Sequence, residues 1–163
     1  MKIGVVSDTH NNLKNIETII KLFNDERVSL VIHTGDIANA KSLDRFSRLN
    51  CKLIGVYGNN DRNEFGIKEV ALRNNFNFQQ PPRKLTLDQR EIAIFHEPDN
   101  IEKFLLDNEG INVILYGHTH RYENSVKNEV LYFNPGESAG MQSGSNAIGI
   151  LDLKNLEAKR IFF

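Results

Sequence analysis

The stretch Gly117-His118-Thr119-His120 follows directly on the apolar run Val113-Ile114-Leu115-Tyr116. A buried imidazole keeps polar nitrogens that need partners, and two rings one residue apart need two sets of them. At the end of a buried strand such a pair suits metal ligation, although alone it is more often surface chemistry or a hydrogen-bonded corner. Its company changes the weighing. Asp8, His10, Asp36, Asn59 and His96 also stand where apolar runs end. Taken singly, Asp8 and Asp36 read as helix caps and Asn59 as a turn residue. Taken together with His118 and His120, they bring two carboxylates, four of the chain's five imidazoles and one amide oxygen. A catalytic zinc takes about three protein ligands. The set therefore exceeds one ion and fits two divalent cations about 3.5 Å apart that share a carboxylate and a water-derived hydroxide. Mixed nitrogen and oxygen donors suit manganese, iron, zinc, nickel or cobalt and disfavour calcium.

These residues need elements that bring them together. Lys2 to Ser7, Ser29 to His33 and Lys52 to Tyr57 are β-rich apolar runs that read as buried strands. They end in Asp8-Thr9-His10, Thr34-Gly35-Asp36 and Gly58-Asn59-Asn60-Asp61. After the first, Leu13, Ile16, Ile19, Ile20 and Phe23 fall at helical spacing behind a cap at Asn11 or Asn12. After the second, Leu43, Phe46 and Leu49 mark another helix. Strand–loop–helix units in series predict parallel strands, whose carboxyl ends gather ligands. Gly66 to Phe76 reads as a helix, and Pro81-Pro82 breaks the chain. Lys84 to Leu87 and Glu91 to Phe95 read as a hairpin leading to His96, and Ile101, Phe104 and Leu105 as a helix. Val113 to Tyr116 is the strand that delivers His118. Four more strands are predicted at Tyr122 to Val126, Val130 to Phe133, Ala147 to Leu153 and Ala158 to Phe163. A βαβ half followed by an antiparallel half predicts two sheets packed face to face with helices outside.

Composition narrows the class. The 163 residues suit one domain, 1–163, and are ordinary for a globular chain at 40% apolar and 25% charged. The net charge of -1 gives no basic field, so nucleic acid is not an obligatory partner. Cys51 is the only cysteine, which excludes an internal disulfide and a cysteine-built zinc site. The N-terminal apolar run is too short for a signal peptide, and no window approaches the ~20 apolar residues of a membrane span. A cytoplasmic protein without membrane association is the expectation.

In order along the chain, Asp8-Thr9-His10, Gly35-Asp36, Gly58-Asn59-Asn60-Asp61, His96, Gly117-His118-Thr119-His120 and Asn134-Pro135-Gly136 resemble the motifs of the calcineurin-like metallophosphoesterases. The resemblance is to their small single-domain branch, often called YfcE-like. It implies a mixed α/β (α+β) fold, a four-layer αββα sandwich of two mixed β-sheets flanked by helices. It further implies that Asp8, His10 and His120 hold one metal, that Asn59, His96 and His118 hold the other, and that Asp36 bridges them. The cofactors would be two divalent ions, Mn2+ first, with Ni2+, Fe2+, Zn2+, Co2+ and Mg2+ as alternatives. The nucleophile would be the bridging hydroxide, attacking phosphorus in line, with no protein nucleophile. Asn60 and Asp61 are the candidates for a catalytic role, and Asn59, Asn60 and Arg62 for substrate contact.

The chain departs from the family at four places. Many relatives carry histidine where this chain has Asn60, whose amide can donate a hydrogen bond but cannot give up a proton near neutral pH. That predicts a preference for esters whose leaving groups need little protonation. Asp61 would ordinarily orient that histidine; here it is free to tie down its own loop or to partner Arg62. Asn11, Glu97 and Glu137 replace residues that are usually glycine, glycine and serine. Glu97-Pro98 alters the loop after His96, and Glu137 would repel phosphate if it pointed inward.

The resulting expectation is a metal-dependent phosphoric ester hydrolase acting on a phosphate-ester substrate, a phosphodiesterase rather than a monoesterase. The alternative is a catalytically weak metal-binding scaffold, or protein-interaction module, on the same fold, like the retromer scaffolding subunit. Dimers are common in the branch, so a homodimer is one expectation. The identity of the substrate is not encoded in these motifs.

Overall fold

A computed structural model describes residues 1–141 and 144–163. The chain runs β1 (Lys2–Val6), α1 (Leu13–Glu26), β2 (Leu30–His33), α2 (Ala40–Arg45), β3 (Lys52–Val56), α3 (Ile67–Arg73), β4 (Asn77–Gln79) and β5 (Arg83–Leu87). It continues through β6 (Arg90–Ile94), α4 (Ile101–Asp107), β7 (Val113–Leu115), β8 (Glu123–Lys127), β9 (Val130–Asn134), β10 (Ala147–Asp152) and β11 (Glu157–Phe162). The strands form two mixed sheets, of order β11-β10-β1-β2-β3-β4 and β5-β6-β7-β9-β8.

The parallel character expected of the first half is present: β1, β2, β3 and β4 pair parallel in sequence. In the second sheet β6, β7 and β9 pair parallel, while β5 and β8 close its edges antiparallel. Side chains alternate across a strand, and the two faces are used differently. Ile3, Val5, Ile32 and Val56 meet Ile92, Ile94, Val113, Leu115 and Phe133 between the sheets. The opposite face of the six-stranded sheet, with Val6, Val31 and Leu53, is covered by Ile16, Ile19, Ile20 and Phe23 of α1 together with Leu43, Ile67 and Val70. The outer face of the five-stranded sheet packs Ala93, Ile114 and Tyr132 against Ile101 of α4. This is the four-layer αββα sandwich, and every helix lies outside.

Local chemistry accounts for the element ends. Asn12 caps α1, its side chain accepting the Asn15 N–H at 3.1 Å. The second helix is shorter than its apolar spacing predicts: α2 stops at Arg45 and tightens into a 3-10 turn over Phe46–Arg48. Strand β4 was not expected, because Asn77-Phe78-Gln79 carries no apolar alternation and pairs only along an edge. Among the described residues no helix is long and apolar enough to cross a membrane.

Candidate metal centre

The loops that leave β1, β2 and β3 meet those that leave β6 and β7. Backbone bonds lock them together: Asp8 N–H donates to Gly35 O at 3.0 Å, His10 N–H to Asp36 O at 2.9 Å, and Gly117 N–H to His96 O at 3.1 Å. Gly58 permits this closeness, since a Cβ there would lie 2.1 Å from Asp36 Oδ1 and 2.3 Å from Asp36 N.

Two groups of donor atoms result. Asp8, His10 and His120 each offer one, as do Asp36, His96 and His118, and within each group these atoms lie within 4.8 Å of one another. Asn59 Oδ1 adds to the second group, 2.9 Å from His96 Nε2 and 3.1 Å from His118 Nδ1. All seven residues expected as ligands are therefore brought to one place, with Asp36 in the group of His96 and His118.

Their polar atoms are poorly satisfied in a way that fits a cation. Asp8 Oδ1 and His10 Nε2 are buried without a hydrogen-bond partner, a costly state for either atom. His96 Nδ1 lies 2.9 Å from the Thr34 carbonyl oxygen, which fixes the proton of the neutral ring on that nitrogen. Nε2 then faces Asn59 Oδ1 at 2.9 Å and Asp36 Oδ1 at 3.4 Å as a third acceptor. Three converging acceptors are satisfied only by a positive charge. The same demand governs the protons. Burial lowers the His96 pKa, but Asp36 outweighs it and the net movement is upward. The Asp8 carboxylate, whose Oδ1 lies 3.3 Å from His120 Nε2, raises that of His120 against the opposing effect of burial. Burial pushes the Asp36 carboxyl up, yet bonds from His96 and Asn60 hold it well below the usual range. Two aspartates and four imidazoles would hold divalent ions here, in the nitrogen and oxygen environment that first-row metals favour.

Around this group stands a layer of residues that place it. His33 is buried, its Nδ1 accepting the Gly35 N–H at 3.1 Å, so Nε2 donates to Thr9 Oγ1 at 3.0 Å. Burial depresses its pKa to about 3, and the ring stays neutral. It is therefore a satisfied support of the β2 loop, outside the donor groups. Asp8 Oδ2 accepts the His118 N–H at 3.0 Å and the Ser7 hydroxyl. Asn134 donates to Gly117 O and Thr119 Oγ1, both at 3.1 Å, and so pins the loop that carries both histidines.

The three candidates beyond the ligands fall differently. Asn60 donates its side-chain amide to Asp36 Oδ2 at 2.7 Å and its N–H to Asp36 Oδ1 at 3.0 Å. Asp61 is buried, and its two oxygens accept the N–H groups of Asp36, Ile37, Ala38 and Gly58, each at 2.8 Å. It ties down its own loop and the neighbouring one, and does not partner Arg62. Arg62 instead pairs with Glu97 at 3.3 Å. Glu137 is buried and accepts the N–H groups of Ala139 at 2.7 Å and Gly140 at 2.9 Å, organising its own loop. The roles of Asn134 and of the Thr34 carbonyl had no signal in the sequence beyond the Asn-Pro-Gly triplet, because each depends on what lies across the sheet.

Such a sandwich, with two clusters of carboxylate and imidazole donors at its strand ends, defines a metallophosphoesterase-type domain. Residues 1–156 match the calcineurin-like phosphoesterase superfamily domain, and the chain belongs to that family. It is 36% identical to the phosphodiesterase MJ0936 of Methanocaldococcus jannaschii over 99% of this chain and 98% of that one. It is 28% identical to the phosphodiesterase YfcE of Escherichia coli, covering 93% of this chain and 88% of that one. Among solved structures, that of a novel archaeal phosphodiesterase superposes with a TM-score of 0.91 at 35% identity, covering 100% of both chains. Vps29 of Entamoeba histolytica shares the fold at a TM-score of 0.70 and 16% identity, over 100% of this chain and 99% of that one.

Proposed function

We propose that this chain is a metal-dependent phosphodiesterase, built as a single domain over residues 1–163. The observation that carries the reading is the pair of donor groups, with Asp8 Oδ1 and His10 Nε2 buried without a hydrogen bond inside the first. Its relatives MJ0936 and YfcE, both named phosphodiesterases, support the substrate class. In this proposal Asp8, His10 and His120 hold one divalent ion and Asn59, His96 and His118 the other, with Asp36 shared. Manganese is the first choice, and nickel, iron, zinc, cobalt and magnesium the alternatives. When bound, the ions supply positive charge that acidifies water and draws electron density from the phosphoryl oxygens.

The chain's own residues orient this chemistry and contribute no nucleophile. Asp61 and Asn134 fix the ligand loops. Asn60 stays with Asp36 and has no proton to give, so the leaving oxygen must depart with little help from the protein. Activated esters are accordingly the better substrates. A cytoplasmic setting belongs to the same reading, supported by the lone half-buried Cys51, and so does a homodimer.

The test is hydrolysis of an activated aryl phosphodiester and its monoester by metal-stripped protein, before and after addition of manganese. Turnover should require metal, favour the diester, and vanish in Asp36→Ala and His118→Ala. Tight binding of metal with no turnover for any first-row divalent ion would sink the proposal. It would leave the scaffold reading, which the fold shared with Vps29 accommodates.

A further inference from the structure

The second donor group is open on one side, where its members Asn59 and His118, with Asn60 beside them, are exposed. Two of the loops that carry its members are joined by an ion pair. Arg62 follows Asn59 and Asn60 on the loop after β3, and Glu97 follows His96 at the end of β6. Arg62 Nη2 lies 3.3 Å from Glu97 Oε2, with the two side chains 46% and 35% exposed. Exposed pairs of this kind add little to stability, so holding the fold does not account for it. Its consequence is the charge beside the site. A carboxylate follows His96 in the chain, and the guanidinium that could meet a phosphate oxygen is already engaged.

We propose that Glu97, paired with Arg62 between the loops that carry His96 and Asn59, selects singly charged phosphodiesters against doubly charged phosphomonoesters. The inference rests on the phosphodiesterase reading and assigns its specificity. Near neutral pH a phosphomonoester carries close to two negative charges, whereas a diester carries one. Paired, the Glu97 carboxylate cancels most of the attraction that Arg62 would exert on phosphate, an attraction about twice as strong for the monoester. By holding Arg62, it also withholds the bidentate donor best suited to a terminal phosphoryl group. The pair thus acts on binding, through charge, and is assigned no part in bond-making or proton transfer at phosphorus.

The experiment measures kcat and KM for an aryl phosphodiester and the matching monoester at low and high salt. It uses manganese-loaded wild type, Glu97→Gln, Arg62→Gln, the double variant, and Asp44→Asn. Asp44 pairs with Arg73 at 2.8 Å on the helical face, so the last variant makes the same charge change elsewhere. Metal content is measured for each protein. Glu97→Gln should raise monoester kcat/KM relative to diester by about three- to tenfold, mainly through KM and less so at high salt. Adding Arg62→Gln should remove most of that gain, and Asp44→Asn should leave the ratio as it is. An unchanged ratio in an active Glu97→Gln protein would overturn the inference while leaving the phosphodiesterase reading intact. So would an equal change in Asp44→Asn, or a change that tracks lost metal. Absence of diester turnover in wild type would instead overturn the reading beneath it.

Discussion

Asp61 offers the sharpest test of how this centre is held. Its carboxylate is buried 3% exposed, and each oxygen accepts two backbone N–H groups at 2.8 Å: Oδ2 from Asp36 and Gly58, Oδ1 from Ile37 and Ala38. Asp61→Asn is nearly isosteric, yet neither orientation of the amide can satisfy this site. Whichever way it turns, an NH2 group confronts two N–H donors. Two charge-assisted bonds are lost, worth about 1.5–3 kcal/mol each, so the expected destabilisation is about 3–6 kcal/mol. Against the ~5–15 kcal/mol that a domain has in total, the variant should still fold at low temperature but melt early. The loss is also local, because the N–H groups at stake belong to Asp36 itself, to Ile37 and Ala38 after it, and to Gly58, next to Asn59. On the proposed ligand assignment, metal binding at Asp36, Asn59, His96 and His118 should therefore weaken more than at Asp8, His10 and His120. Urea denaturation gives the first quantity, and calorimetric manganese titration of metal-stripped protein resolves the second. Loss of turnover with full stability and full metal content would refute this reasoning. It would mean that Asp61 acts on the substrate, the role that its place in the motif suggests.

Two further perturbations follow from the same packing. His33 is neutral in the folded protein, with its pKa lowered to about 3 by burial, whereas in the unfolded chain it takes up a proton below about pH 6.5. Native stability due to this ring is thus complete above pH 6.5 and falls by about 1.4 kcal/mol per unit as the pH drops toward 3. The destabilisation caused by His33→Gln, measured by urea denaturation of metal-stripped protein, should then be about 2 kcal/mol smaller at pH 5 than at pH 7.5. An equal cost at both pH values would exclude a buried neutral ring. Gly117→Ala would put a Cβ 1.9 Å from Ser7 Oγ and 2.9 Å from Asp8 Oδ2. Overpacking of this kind costs about 1–3 kcal/mol, and here it displaces Asp8. Reduced metal content in the Asp8, His10 and His120 group is expected, and a normal content would contradict the geometry.

The fold was legible where the chain repeats a simple physical pattern. Three β-rich runs, each ended by polar residues, announced a parallel sheet with chemistry at its carboxyl ends, and β1, β2 and β3 form it. What composition and spacing left open was settled by contacts across the chain. Strand β4 exists because β3 needs a neighbour, which Asn77-Phe78-Gln79 alone does not reveal. Asp61 carried the same ambiguity. An aspartate beside a ligand loop reads as chemistry until its oxygens are seen to be filled by N–H groups from two loops. Glu97 read as a change of loop and Glu137 as a carboxylate that would repel phosphate if it pointed inward, yet one meets Arg62 near the surface and the other is buried in its own turn.

Backbone conformation explains why such supports are needed at all. Asp8, His10, Asp36, His118 and His120 all have positive φ, between 44° and 63°. That region costs a non-glycine residue of order 1–3 kcal/mol, and glycine would relieve it. Glycine, however, brings no ligand. These five side chains are presented from this conformation, so chemistry and relaxed backbone compete at those positions. The strain persists only because neighbouring bonds overdetermine it: Asp8 N–H to Gly35 O, His10 N–H to Asp36 O, Asp36 N–H to Asp61, and His118 N–H to Asp8. A sequence names the ligands, since their types are what coordination requires. It does not name the bonds that keep them bent, because any residue with a carbonyl or carboxylate at the right point in space could supply them. The supports of this centre are therefore spread over residues 8, 35, 36, 61 and 134, and their dependence on one another is a property of the folded chain.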